Sequence, residues 1–295
     1  MTQVTVHLVD GTYELFRAFF AVPSQRTEAG VEVGATRGLL STLLSLLERA
    51  QVTHIACAFD HVIESFRNQL FGGYKTSEGI PGELHSQFEL AERAVAALGI
   101  TVWPMVEFEA DDALATAAAH LNSDPRVGRV VICSPDKDLL QCVRGSRVVC
   151  WDRQRERVYD EAAVIEKLGV RPALVPDYLA LVGDTADGIP GIPRWGKASA
   201  ARLLAHCGGL EAIPRDAAAL GVKVRGAEGL LATLSAERER ALLYRQLATL
   251  RSDVPIDDSL ECLTYRGAER AVLTAFCQEI GAERTLERVS RWAAQ

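Results

Sequence analysis

Four short apolar runs set the first limit on this chain, because acids follow each of them. "QVTVHLV" (3–9) runs into Asp10, and "THIACAF" (53–59) runs into Asp60. "TVW" (101–103) precedes "EFEADDALA", and "RVVICS" (129–134) precedes "PDKDLL". Runs of this kind read as buried strands. Between them, "ATRGLLSTLLSLLERA" (35–50), "SQFELAERAVAAL" (86–98) and "DDALATAAAHL" (111–121) carry apolar residues at helical spacing. The alternation predicts an α/β fold with a mostly parallel central sheet flanked by helices. In an open parallel sheet the carboxyl ends of the strands face one crevice, so the acids are expected to meet there.

Seven carboxylates fall at these strand ends: Asp10, Asp60, Glu109, Asp111, Asp112, Asp136 and Asp138. Gathered in one place they repel each other unless cations neutralise them. Oxygen-only ligands suit hard ions, which points to Mg²⁺ or Mn²⁺. The net charge of −7 is distributed accordingly. Residues 1–170 hold 23 acidic and 16 basic residues, an excess equal to the cluster, and residues 171–295 hold 16 of each. Each acid also has an ordinary reading. Asp111, Asp112, Asp136 and Asp138 suit helix starts, and Asp10 before Gly11 suits a turn. Capping explains one such segment more readily than it explains five, once Asp184 and Asp187 are counted.

Those last two acids stand three apart in "GDTADGIPGIPRWGKAS" (183–199), so on a helical turn they share a face. The residues that follow have the form of a helix–hairpin–helix, whose turn amides and second helix start offer donors to a phosphate. Acids and turn thus serve different targets: the acids hold metal at a phosphate to be cut, and the hairpin grips another.

After about residue 170 the strand signal fades and helices broken by Gly and Pro take over. The division expected is a core at 1–170 and a helical region at 171–295, with the hairpin at about 176–206. "NQLFGGYKTSEGIPGE" (68–83), with five Gly or Pro and no periodicity, reads as a long mobile excursion. Seven cysteines without a CxxC or Cys/His cluster read as reduced thiols, with Cys57 and Cys133 in the core. No run has the length of a membrane span, and the first residues lack signal-peptide character. A cytoplasmic location is expected.

Taken together, "LVDGTYELFRAFFAVP", "AFD" with "FRNQLFGGYK", "FEADDALAT", "SPDKDLLQCV" and "LVGDTADGIPGIP" resemble the 5′-nuclease domain of bacterial DNA polymerase I, within the flap endonuclease superfamily. The resemblance runs over nearly the whole chain and is to the free-standing form. It implies a PIN-like nuclease core, a helical arch at about 68–84 and a C-terminal helix–hairpin–helix region. It implies metal binding by Asp10, Asp60, Glu109, Asp111 and Asp112 in one group, and by Asp136, Asp138, Asp184 and Asp187 in a second. Catalytic roles then fall on Asp10, Glu109, Asp136, on Lys75 as the arch lysine, and on Arg17. DNA contact falls on Tyr74, Lys75, Gly191, Arg194, Gly196, Lys197 and Ser199. The implied reaction is phosphodiester hydrolysis at 5′ ends, flaps or nicks by a monomer, with Mg²⁺ replaceable by Mn²⁺, leaving a 5′-phosphate and a 3′-hydroxyl.

Three departures bear on this reading. Thr76, Ser77 and Glu78 follow "YK" where a second basic residue is usual, which weakens capture of a single-stranded 5′ end. Arg194 stands at a hairpin position where glycine is common; the resemblance implies a K⁺ site in such hairpins, which Arg194 weakens while supplying a cation of its own. Gly188 replaces a common Asn beside Asp187. Three rival functions remain: a small-molecule phosphatase, which lacks its second motif acid after Asp10; a ribonuclease on a similar metal-binding core; and a structure-specific DNA-binding protein that has lost cleavage.

Overall fold

The computed structural model describes residues 3–294. Contacts divide the chain into two compact units. The first contains 3–63, 77–134 and 252–294, and the second Glu64–Thr76 and Pro135–Arg251.

In the first unit, β1 (Val4–Asp10), β2 (His54–Asp60), β3 (Thr101–Met105) and β4 (Val127–Cys133) pair in parallel in the order β3-β2-β1-β4. Helices, numbered along the chain, are α1 (Gly11–Ala21), α2 (Gly34–Arg49), α4 (Gly82–His85), α5 (Phe88–Ala97), α6 (Ala110–Ser123), α12 (Leu260–Leu263) and α13 (Arg270–Glu279). From Val6 to Asp10 every residue of β1 is buried, the mark of a strand covered on both faces. Pro104 lies inside β3, where the short expected strand proves two residues longer. It is tolerated because β3 is the edge of this sheet, where a missing N–H breaks no ladder.

The sequence around 252–294 does not continue the helical second unit. Its ties run to the first: Tyr265 N donates to Thr53 O at 2.8 Å, and Arg37 Nε donates to Ile280 O at 2.9 Å. Gly99, at φ +77°, admits no side chain, because a Cβ would stand 2.2 Å from Gly267 O.

The second unit holds α3 (Phe66–Leu70), α7 (Glu161–Leu168), α8 (Val175–Val182), α9 (Lys197–Cys207), α10 (Ala227–Ala236) and α11 (Arg238–Ala248). It also has an antiparallel hairpin, β5 (Val148–Asp152) with β6 (Arg157–Tyr159), which the reading of the sequence passed over. Its signal was the apolar "VVCWD" followed by a polar turn; Asp152 Oδ1 accepts from the amides of Gln154 and Arg155 and closes that turn.

In the stretch expected to form an arch, α3 and α4 are short helices of five and four residues. Residues 71–81 between them are turns and bends, as their glycines and prolines favour. All seven cysteines are free thiols, and Cys57 and Cys133 are buried. No helix among the described residues is long and apolar enough to cross a membrane.

Candidate metal centre

The parallel strands of the first unit deliver its acids to one edge. Asp10 ends β1 and caps α1, accepting from Tyr13 N at 2.8 Å through Oδ1 and from Ser134 Oγ at 2.8 Å through Oδ2. Asp60 ends the neighbouring strand. Its Oδ1 accepts from Ala110 N at 2.8 Å, the first amide of α6, while its own N–H donates to Thr12 Oγ1 at 2.7 Å. Glu109 caps α6, and Asp112 Oδ2 accepts from Glu109 N at 3.1 Å. Glu109 and Asp112 are buried, whereas Asp111 in the same turn is half-buried. Asp10, Asp60, Glu109 and Asp112 thus each use an oxygen to hold a strand end or a helix start.

The second unit brings its acids closer still. Single carboxylate oxygens of Asp138, Asp184 and Asp187 lie within 4.8 Å of one another. Two oxygens facing each other across Mg²⁺ stand about 4.2 Å apart, so this set needs little adjustment to hold such an ion. Asp138 is 4% exposed, and its Oδ1 is buried without a hydrogen-bond partner. An unsatisfied buried carboxylate oxygen costs free energy, and a hard cation is the partner that would satisfy it. Burial, and then the charges of Asp136, Asp187 and Asp184, push the Asp138 carboxyl well above the usual range against the opposing pull of Lys137. Asp136 accepts from Asp138 N at 2.8 Å. It is exposed, so water moderates the desolvation that raises its own carboxyl.

Two lysines supply positive charge to these acids. Lys75 Nζ stands 3.2 Å from Asp187 Oδ1, and Lys137 Nζ stands 2.5 Å from Asp184 Oδ2. Lys137 was not among the expected site residues, although its place between Asp136 and Asp138 was a signal. Burial is the largest single influence and would lower its ammonium; the hydrogen bond it donates to Asp184, together with the charges of Asp138, Asp184 and Asp136, outweighs that and raises it.

The hairpin between α8 and α9 explains how Asp184 is held. Asp184 N donates to Ile189 O and Ile189 N to Asp184 O, both at 2.7 Å, which closes a tight bridge around Asp187. Gly191, at φ +73°, lies where a Cβ would meet Gly183 N at 2.5 Å. A cleft of about 520 Å³ runs from Lys137, Asp184 and Thr185 to Gly196 and Lys197 at the start of α9. Lys197 is exposed, Ser199 is half-buried, and Gly196 caps α9 without a side-chain bond.

The profile of the 5′-3′ exonuclease N-terminal, resolvase-like domain matches residues 5–169, and that of the 5′-3′ exonuclease C-terminal SAM fold matches 170–271. The chain belongs to the 5′-3′ exonuclease family. Its relatives in that family include DNA polymerase I of Pseudomonas aeruginosa, 36% identical over 100% of this chain and 32% of that protein. DNA polymerase I of Bacillus caldotenax is 33% identical over 96% of this chain and 32% of that protein. The chain thus spans about a third of the length of these relatives. Among solved structures, a T5 flap endonuclease in complex with DNA and metal ions shares the fold at a TM-score of 0.64 and 19% identity, covering 97% of this chain and 98% of that one. The catalytic core of Rad2 with a DNA substrate has a TM-score of 0.62 at 14% identity, with 98% and 92% covered.

The surroundings of three residues expected at the site of this exonuclease-family chain bear on their roles. Tyr74 is 4% exposed, so its ring faces the interior and lies 5.7 Å under the Lys75 ammonium rather than open to a DNA strand. Arg17 is taken up by Glu14, at 2.8 Å from its Nε, and by Thr42 at 2.9 Å. Arg194 adopts φ +73°, the left-handed conformation that favours glycine, and its guanidinium packs on Gly229 in the first turn of α10. A Cβ on Gly229 would stand 2.8 Å from Arg194 Nη1. Trp195 beside it is buried and donates from Nε1 to Leu230 O at 3.1 Å, which anchors the hairpin tip to the same helix.

Proposed function

We propose that the chain is a divalent-metal-dependent 5′ nuclease that hydrolyses DNA phosphodiester bonds at 5′ ends, flaps or nicks and leaves a 5′-phosphate and a 3′-hydroxyl. The observation that carries this reading is the convergence of Asp138, Asp184 and Asp187 around an unsatisfied buried oxygen, in a cleft that leads to Lys197. Oxygen-only donors favour Mg²⁺, with Mn²⁺ as a substitute.

In this reading Asp136, Asp138, Asp184 and Asp187 hold one ion, and Asp10, Asp60, Glu109, Asp111 and Asp112 hold another. Divalent ions in those places supply an activated water and charge neutralisation for the leaving oxygen. Lys75, now 3.2 Å from Asp187 Oδ1, would turn to the scissile phosphate if that carboxylate held a divalent ion. Gly191, Arg194, Gly196, Lys197 and Ser199 grip the duplex away from the cut, with Arg194 contributing a side-chain cation where a glycine amide is usual. A K⁺ ion in the hairpin, which the family resemblance implies, would have to share the turn with that cation. Residues 1–170 then serve as the catalytic core with its arch, and α8 and α9, after residue 171, carry the hairpin grip. A monomer in the cytoplasm suffices for such chemistry.

The test is cleavage of a 5′-labelled flap, a nicked duplex and single-stranded DNA, each with Mg²⁺, Mn²⁺ or EDTA. Metal-dependent release from the flap or the nick is expected. Metal-independent cutting, or none on all three substrates, would falsify the nuclease reading.

A further inference from the structure

Lys75 is fixed by more than its ion pair. Its backbone N–H donates to Asp187 O at 3.1 Å, and its carbonyl accepts from Asn68 Nδ2 at 2.9 Å. Asn68 is itself oriented, because its Oδ1 accepts from Ser65 N at 2.8 Å in the capping box that starts α3. The loop that returns to Lys75 passes close to the acids: Gly188, at φ +71°, has Gly73 O where a Cβ would come within 2.2 Å. The root of the segment is also held, since Arg67 is fully buried and donates to Leu247 O at 2.8 Å and Thr249 O at 3.1 Å at the end of α11.

We infer that Asn68 is a positioning residue for Lys75: its side-chain amide holds the lysine's main chain against Asp187, leaving the ammonium to swing between that carboxylate and a phosphate. The inference rests on the reading of Lys75 as the residue that meets the scissile phosphate. A side chain with both an acceptor and a donor is required at this position. The acceptor starts α3 and the donor reaches seven residues ahead, so only a primary amide of this reach serves both. Without the donor, the main chain of Lys75 loses its tie to α3 while keeping its bond to Asp187 O, and the lysine samples positions away from the acids. Displacement of a catalytic group by about 1 Å can cost up to ~100-fold in rate.

The experiment compares Asn68→Leu, Ser65→Ala, Lys75→Ala and the double variant Asn68→Leu/Lys75→Ala. It measures single-turnover cleavage of a 5′-flap DNA with Mg²⁺, its Kd in EDTA, and amide hydrogen exchange. Asn68→Leu is expected to slow cleavage by about 10- to 100-fold with Kd changed less than about threefold. It should speed exchange at the Lys75 amide while Arg67 and α11 keep their protection. Ser65→Ala, which removes the Ser65 Oγ bond to Arg67 N and keeps the Asn68 amide, should slow cleavage less than Asn68→Leu does. The double variant should be no slower than Lys75→Ala alone. Full-rate cleavage by Lys75→Ala overturns the role of that lysine, and exchange at its amide then decides whether Asn68 holds it. If Lys75→Ala is slow but Asn68→Leu is not, or if the two losses multiply, the positioning role is wrong.

Discussion

The Lys137 ammonium stands 2.5 Å from the Asp184 carboxylate, and the charges of two other acids, Asp138 and Asp136, also act on it. A lysine supplies one charge where a divalent ion would supply two, so the pair balances the acids only in part. Asp184 is nearly closed to water and Lys137 is partly open. Lys137→Met should therefore cost less than the ~3–5 kcal/mol of a fully buried pair broken on one side, at about 1–2 kcal/mol. Saturating Mg²⁺ should recover most of that loss, because it replaces the missing charge. Thermal melts with Mg²⁺ and with EDTA measure this; a loss that Mg²⁺ leaves untouched contradicts it.

Cutting and gripping should separate. Asp138→Asn keeps the shape of the side chain and removes a charge from the three-carboxylate set, so flap cleavage should fall by ~10³-fold or more. DNA affinity in EDTA should hold or rise, since the amide adds no negative charge near the phosphate chain. Gel-based cleavage and fluorescence anisotropy on the same flap decide the point.

The raised carboxyl of Asp138 sets a pH dependence. Its folded value lies above the unfolded one, so it favours the folded, metal-free protein at pH below the ordinary carboxylate value. That contribution is lost as pH rises through the raised value. The Tm gained on adding Mg²⁺ should accordingly be larger at pH 8 than at pH 5, because metal binding needs the ionised acid. Equal gains at both pH values would show that Asp138 is already ionised at pH 5.

Gly229 offers a test of the hairpin cation in which stability and binding move in opposite directions. Gly229→Ala places a methyl where the Arg194 guanidinium lies, and that flexible end can move aside. Within α10 the change from Gly to Ala should add ~0.5–1 kcal/mol of stability. Duplex affinity at low salt should nevertheless fall. Arg194→Ala and Lys197→Ala should each reduce the salt slope of binding by up to about one unit. Unchanged affinity in Gly229→Ala would separate the guanidinium's seat from its role.

Local patterns alone determined the strands, the helices that alternate with them and the acids at their ends, because periodicity and strand-to-acid spacing act within a few residues. Asp10, Asp60 and Glu109 were legible for that reason, and so were Asp184 and Asp187 beside their Gly-Ile-Pro turn. Tertiary structure decided what depends on distant residues. Residue 265 returns to residue 53 through a backbone bond, and Arg37 reaches the carbonyl of Ile280. Lys75 meets Asp187 across more than a hundred residues, while Tyr74, its neighbour in sequence, turns inward. Arg194 could be seen to replace a glycine, but its place on Gly229 followed from how α10 packs beside the hairpin. Charge and periodicity are written along the chain, whereas the choice of partner for each charge waits until burial excludes water and leaves the nearest opposite group.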